Sequence, residues 1–516
     1  MTEAHEFSRA DVAKHNSRQD CWLIIDNDVY NATKFIGLHP GGAAFIVDNA
    51  GKDVTAKFKL FHSPEVLRKY ARLKIGVLIA ADRTKDTRIE LPGTFGDMIP
   101  YGDPSWYQRM NSPYYKQTHM DFRAEVRAFV EQEIMPTVSL WAGNDTPPMA
   151  IHRKIGAKGY LAMMHGPPFP GQYLPASIQP PKDFDYFHEL ILFDEFARIG
   201  VVGAVGAFTN GPAIGMSAIM RFGSEEMKKR VSPDVFLGNE FIALAISEPQ
   251  AGSDVAAIAA TAVRQGDHYV VNGCKKWITN GTYAKYFVVA VRTTPAGGHK
   301  GLSFLLLERG MEGFSTRKIN IRDSAISGTA FLEFENVKVP ASNLIGKENQ
   351  GFKYIMHNFN HERFYITVLG TRMSRICLEE SIKYALKRRT FGKPLGDHPV
   401  IRGKIAAMIR SVEMLQAWLE LVTYQLCTMS HHEANIKMGD VICLVKAQMS
   451  KTFELCARES VHIFGGNALH VGSVGGRIEP MTLGVKGYAI PAGAEDIMDD
   501  YGAKVALKLA LQMAKL

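Results

Sequence analysis

The sequence predicts a multidomain α+β protein: a small mixed module, then a helical segment, a β segment and a second helical segment. Three observations carry this. Strand-like and short helical pieces alternate closely only in residues 1–82. Residues 236–350 turn to β-type runs punctuated by Asn-Gly and Gly-Gly. On both sides of that stretch, helical periodicity dominates. At 516 residues the chain exceeds what one hydrophobic core organises.

Residues 1–82 offer Cys21-Trp-Leu-Ile-Ile and Val29-Tyr-Asn as strands and close on Leu73-Lys-Ile-Gly-Val-Leu-Ile. Residues 83–112 carry Pro92, Pro100, Pro104, Gly93, Gly96 and Gly102 with little periodicity, which reads as a linker. Helical patterning fills 113–235, as in Phe122-Arg-Ala-Glu-Val-Arg-Ala-Phe, apart from a Pro/Gly-rich loop at 166–181. Runs starting at Phe241, His268, Tyr286, Leu302 and Thr329 predict an antiparallel sheet or barrel. Residues 351–513 return to long amphipathic helices, Ile401 to Thr428 and Asp440 to Phe464 among them.

Composition narrows the function. With 46% hydrophobic and 22% charged residues, the chain has ordinary globular composition. Its 60 Lys and Arg against 52 Asp and Glu leave +8, spread without a basic tract. That argues against nucleic acid and suits an anionic small molecule. Six cysteines form no CxxC pair, which fits a reducing compartment and excludes a zinc ribbon. No eighteen-residue apolar run predicts a membrane span, and Met-Thr-Glu-Ala-His-Glu is no secretory signal.

His39-Pro40-Gly41-Gly42 and Phe61-His62-Ser63 set two histidines 23 positions apart. Singly they read as a turn and a surface residue. A haem held by two imidazoles needs each histidine in a loop beside a helix. Pro40 and the glycines fix such a loop and let a flat macrocycle approach the backbone. Phe35, Phe45, Ile46, Phe58, Leu60 and Phe61 can supply a dry slot. With Asp20-Cys-Trp-Leu-Ile-Ile, Val29-Tyr-Asn-Ala-Thr-Lys-Phe and Ala50-Gly-Lys-Asp-Val-Thr, the stretch from Phe7 through Val77 resembles cytochrome b5. The resemblance implies haem b with His39 and His62 as axial ligands, and single-electron transfer without an open coordination site. Residues 1–82 hold 11 basic and 10 acidic residues, so no acidic docking face marks an external electron acceptor.

Four further blocks follow in order: Ala245-Ile-Ser-Glu-Pro-Gln-Ala-Gly-Ser-Asp254, Lys276-Trp277-Ile278-Thr279-Asn280-Gly281, Arg388-Arg-Thr-Phe391-Gly392 and Phe464-Gly465-Gly466-Asn467. Each alone reads as a loop. Together they resemble the acyl-CoA dehydrogenase family over roughly residues 113–513. The resemblance implies a helical domain, an antiparallel β-barrel domain and a C-terminal helical bundle, with FAD as cofactor and an acyl-CoA as substrate. It implies Ser247 at the polar edge of the flavin, Ser253 near its pyrophosphate and the thioester, and Trp277 against one ring face. Thr279 would donate to the hydride-accepting nitrogen, and Gly465 and Gly466 would approach the cofactor. Arg388 would neutralise the pyrophosphate in a neighbouring subunit, which implies a homodimer or homotetramer. Where glutamines are usual, the chain has His398-Pro399 and His462, so the adenine end is expected to be held differently.

Desaturating an acyl thioester needs a carboxylate on the far side of the substrate from the flavin. In many family members it lies near the carboxyl end. The matching stretch here is Ile490-Pro-Ala-Gly-Ala-Glu495, with Ala492 at the base position and Glu495 expected as a solvated or structural charge. Isovaleryl- and long-chain-type members use a glutamate from an earlier helix, before an arginine, and Asn360-His-Glu362-Arg363-Phe stands at the matching place. A helical Glu-Arg pair is ordinarily a surface charge pair. Loss at 492 together with gain at 362 makes Glu362 the expected base, with Arg363 near the substrate and the Ala492 N–H on the thioester carbonyl.

The expected function is FAD-dependent α,β-dehydrogenation of an acyl-CoA, with electrons passed to the fused haem. Alternatives are an oxidase using oxygen and a non-catalytic electron-transfer or acyl-CoA-binding protein. Ala514-Lys515-Leu516 resembles the Ser-Lys-Leu address, which points to a peroxisomal import receptor and the peroxisome, with the cytoplasm as the alternative.

Overall fold

The computed structural model describes residues 5–39, 42–55, 57–58, 62, 64–83, 99–108, 110–141, 146–321, 325–470 and 473–513. Pro40, Gly41, Leu60, Phe61 and Ser63 of the haem motifs, and Ala514-Lys515-Leu516, lie outside the described residues. Two compact units emerge: residues 1–99 with 380–405 and 459–479, and residues 100–379 with 406–458 and 480–516. The stretch 351–513, expected as one helical domain, is therefore shared between them.

The first unit is built on a four-stranded sheet ordered Glu6–Phe7, Lys74–Leu78, Asp28–Asn31, Trp22–Ile25. Asp26 and Asn27, at φ 52° and 67°, make the tight turn between its last two strands. Acidic and amide side chains tolerate that left-handed conformation, which matches the strand twist. One face buries Cys21, Leu23, Tyr30, Ile36, Ile46 and Val54.

In the second unit, eight strands form one sheet. Most of its pairings are antiparallel as expected, but Tyr286–Arg292 pairs in parallel with both Thr261–Gln265 and Ile242–Ala245. Tyr286–Arg292 is buried at all but its last residue because apolar clusters cover both sheet faces. Such a strand reads as a continuous apolar run and does not announce its direction. The Tyr186–Ala197 and Gly351–Lys387 helices belong to the helical layers. No helix among the described residues is long and apolar enough to cross a membrane.

The linker expected at 83–112 is corrected in its second half. Ser105–Gln108 is a 3₁₀ turn that buries Trp106 and Tyr107. Asp103 is buried and accepts from Arg123, Arg127 and Arg372 at 2.9–3.0 Å. Asp194 and Glu195 complete this charge cluster. Proline and glycine spacing hides the segment because its anchoring is ionic, with no periodicity to read.

Candidate active site and cofactor sites

Glu362 sits inside the 37-residue Gly351–Lys387 helix and is 7% exposed. Burial raises its carboxyl to about 7, against the opposing pull of Arg363, His361 and Lys446. Its Oε2 is buried with no hydrogen-bond partner among the described residues. Arg363 Nε donates to the Ala492 carbonyl at 3.0 Å, which ties this helix to the turn between Glu479–Ala489 and Glu495–Met513. Ala492 has φ 57° and Gly493 has φ 105°. Lys446 Nζ donates to Ala489 O and Gly493 O at 2.7 and 2.6 Å, closing the same turn. Glu362, Arg363 and Ala492 are thus brought into one neighbourhood. Glu495 opens the last helix, half-buried, with its Oε2 hidden from solvent.

The Ser-Glu-Pro loop is fastened from inside. Glu248 is buried and accepts from Lys275 Nζ at 2.8 Å, Ala259 N at 2.8 Å and Ala260 N at 3.0 Å. Burial brings Lys275 down to about 8 despite Glu248. Lys276 N donates to Ser247 O at 2.9 Å, which stitches the loop to the strand that ends at Ile278. Trp277 is left 53% exposed at φ 68°, a conformation rare outside glycine. Ser253 is exposed, while Ser247 and Thr279 are half-buried. An exposed indole flanked by hydroxyls fits an aromatic, polar-edged ring system such as flavin. The Glu248–Lys275 pair was missed from sequence, although Glu248 stands inside the quoted motif.

Arg388 belongs to the first unit and precedes a short hairpin, Arg389–Thr390 with Lys393–Pro394, whose tip Phe391 is 96% exposed. Gly465, at φ 58°, and Gly466 have open space where a Cβ would stand, which fits close approach of a cofactor. Of the departures noted in sequence, His398 Nε2 lies 3.1 Å from Thr390 Oγ1. His462 Nδ1 accepts from Lys404 Nζ at 3.1 Å.

His39 and His62 come together in the first unit with ring centres 5.9 Å apart and planes at 75°. Two imidazoles ligating one metal from opposite sides, at ~2 Å per nitrogen, put ring centres about 6 Å apart. His39 Nδ1 lies 3.0 Å from Gly42 O, an atom that only accepts, so the hydrogen is on Nδ1 and Nε2 is free to ligate. Burial, then the neighbouring His39 and His470, lowers the His62 pKa and favours the neutral, ligating imidazole. Phe35 and Phe58 pack edge-on or tilted against the two rings. The residues present fit a bis-histidine haem.

Fold and site together define a flavin-type thioester dehydrogenase scaffold preceded by a haem-type module. The comparisons with known proteins agree. Models of the N-terminal, middle and C-terminal domains of acyl-CoA dehydrogenase match residues 116–239, 243–337 and 349–507. The cytochrome b5-like heme/steroid binding domain matches 8–79. The chain is 37% identical over 418 residues to an acyl-CoA dehydrogenase of Alternaria alternata, covering 79% of this chain and 95% of that one. It is 31% identical over 317 residues to the mitochondrial isovaleryl-CoA dehydrogenase of Oryza sativa, covering 61% and 75%. The acyl-CoA dehydrogenase of Geobacillus kaustophilus superposes with TM-score 0.69 at 27% identity, over 77% of this chain and all of that one. The protein belongs to the acyl-CoA dehydrogenase family of FAD enzymes and carries a cytochrome b5-like domain.

Proposed function

We propose that the protein desaturates an acyl-CoA at the α,β position, with Glu362 as the base. The observation that carries this is the buried Glu362 carboxyl: raised to about 7, one oxygen unpartnered, and next in the helix to Arg363, which bonds the Ala492 carbonyl. A carboxylate poised near neutral pH can take a weakly acidic α-proton, which one in water at its ordinary pKa does poorly. Arg363 fixes the helix that presents it. Ala492 leaves the far end of the site without a competing acid. Ser247, Ser253, Trp277, Thr279, Arg388, Gly465 and Gly466 would hold FAD, which when bound supplies the hydride acceptor. His39 and His62 would hold haem b, which when bound carries single electrons onward.

The exposed Phe391 tip beside Arg388 supports association with a second copy, as the neighbouring-subunit role of Arg388 requires. The same reading takes the peroxisome as the compartment, on Ala514-Lys515-Leu516. A fluorescent fusion that keeps its puncta after removal of the tripeptide would refute that placement. For the chemistry, purified holoenzyme is mixed anaerobically with a panel of acyl-CoAs while the flavin and haem bands are followed. Flavin bleaching followed by haem reduction is expected. Unimpaired bleaching in Glu362→Gln with FAD retained would overturn the base assignment.

A further inference from the structure

The helix face that carries Glu362 holds more hydrogen-bonding capacity than proton removal needs. At 100° per residue, Asn358, His361, Glu362 and Tyr365 fall within an arc of about 100°. Tyr365 bonds to Asn210 and lies 3.4 Å from Thr209 Oγ1, so this face meets the Val202–Asn210 helix. His361 uses both nitrogens: Nδ1 is 3.1 Å from Ala213 O, and Nε2 is 2.5 Å from Glu189 Oε1. Because a carbonyl only accepts, Nδ1 carries a hydrogen, and one further proton is shared between His361 and Glu189. Glu189 lies within the apolar Phe187–Phe193 stretch of its helix and is 0% exposed.

Besides Glu362 Oε2, three polar atoms here lack a partner among the described residues: Glu189 Oε2 and both Oδ1 and Nδ2 of Asn358. Asn358 is 4% exposed, so water does not freely serve it. Beside the pair stands Gly166 at φ 82°, where a Cβ would come within 2.8 Å of Glu189 Oε2 and 3.1 Å of His361 Nε2. Only glycine fits against that edge of the carboxylate, since a Cβ there would crowd Glu189 Oε2. A plain hydrocarbon laid along this face would strand a carboxylate oxygen and a whole amide, and each such loss weakens binding by about tenfold or more.

We propose that the acyl group carries a hydrogen-bonding substituent of its own, a hydroxyl or an amide, recognised by Asn358 and by Glu189 of the Glu189–His361 pair. Glu189 Oε2 accepts from its O–H or N–H, and Asn358 supplies both a donor and an acceptor. Glu362 Oε2 remains for the α-proton. This specificity rests on the dehydrogenase reading above and names its substrate class.

The test compares alkanoyl-CoAs with hydroxyalkanoyl- and amide-bearing acyl-CoAs of matched length, by anaerobic flavin bleaching with the holoenzyme. A polar acyl group is expected to exceed its matched alkanoyl in kcat/KM by at least about tenfold. Asn358→Leu and Glu189→Gln, each close to isosteric and checked for retained flavin absorbance, should each bring that ratio toward one. Alkanoyl-CoAs serving equally well would sink this proposal and leave the dehydrogenase reading standing. So would an Asn358→Leu defect that is equal for every thioester and for free CoA, since that assigns the amide to the pantetheine arm. Bleaching by no acyl-CoA would overturn both.

Discussion

Arg363 donates its Nε to the backbone carbonyl of Ala492 at 3.0 Å. The bond crosses between the two places where a base can stand in this fold and leaves the acid on the helix side only. It uses the backbone of the 490–493 turn, which explains why an alanine suffices there. Arg363→Ala should loosen Glu362 relative to that turn, and a misplacement of about 1 Å costs on the order of 100-fold in a proton-transfer step. The expected outcome is slower flavin reduction by acyl-CoA with FAD still bound, read by anaerobic stopped flow.

The pH dependence follows from the raised Glu362 carboxyl. A carboxylate base works only when ionised, so with Glu362 in the proposed role kcat/KM for flavin reduction should rise with pH and level off above about 7. Burial is the dominant cause, opposed by Arg363, His361 and Lys446. Removing the positive charge beside it in His361→Gln should therefore move the rise to higher pH. A profile flat from pH 5 to 9 would contradict this account.

The same group makes folding depend on pH in the opposite sense from a salt-bridged carboxylate. The native state holds the proton from the unfolded value of 4.5 up to about 7, so stability falls as pH rises through that window. Glu362→Gln removes the burden and should be more stable than the parent above pH 7, by up to about 3 kcal/mol. The two should converge below pH 4.5. Thermal melts at pH 4 and pH 8 measure the difference.

The order of domains was legible because helical and strand periods alternate in blocks, and Glu362 and Ala492 were singled out from motif positions alone, without geometry. Hidden features share one physical character. Glu248–Lys275, Glu189–His361 and Asp103 with its arginines are buried ionic contacts between residues far apart in sequence. Periodicity reports apolar burial, so a charged residue in an apolar run registers there only as an interruption. Glu189 in Phe187-His-Glu-Leu-Ile-Leu-Phe was such an interruption, and its partner His361 was quoted only as the neighbour of Glu362.

His39 and His62 are close enough for one metal to bridge, with ring centres 5.9 Å apart. His62→Ala should abolish the haem absorbance bands and leave flavin absorbance in place, because Ser247, Trp277 and Thr279 belong to the other unit, and Arg388, Gly465 and Gly466, though in the same unit, lie outside residues 1–99. Haem retained at full occupancy in the His39→Ala, His62→Ala double variant would exclude these ligands. Pyridine haemochrome analysis of the purified protein counts the haem directly.

Asp103 offers the sharpest test of the segment that looked like linker. Burial would raise its carboxyl, but Arg127, Arg372 and Arg123 hold it well below the usual range. Each arginine approaches at 2.9–3.0 Å, and all three are buried. Removing the acid leaves guanidinium groups without a compensating charge, which costs about 3–5 kcal/mol when one partner of a buried pair is lost. Asp194 and Glu195 remain nearby and soften the loss toward the lower end. Asp103→Ala should therefore lower the unfolding free energy of the second unit by about 3 kcal/mol or more in urea titrations. An exposed pair gives the contrast: Asp500→Ala, which breaks only the contact with Lys504, should change stability by less than about 1 kcal/mol. Equal effects at the two positions would return residues 100–108 to the status of a tether.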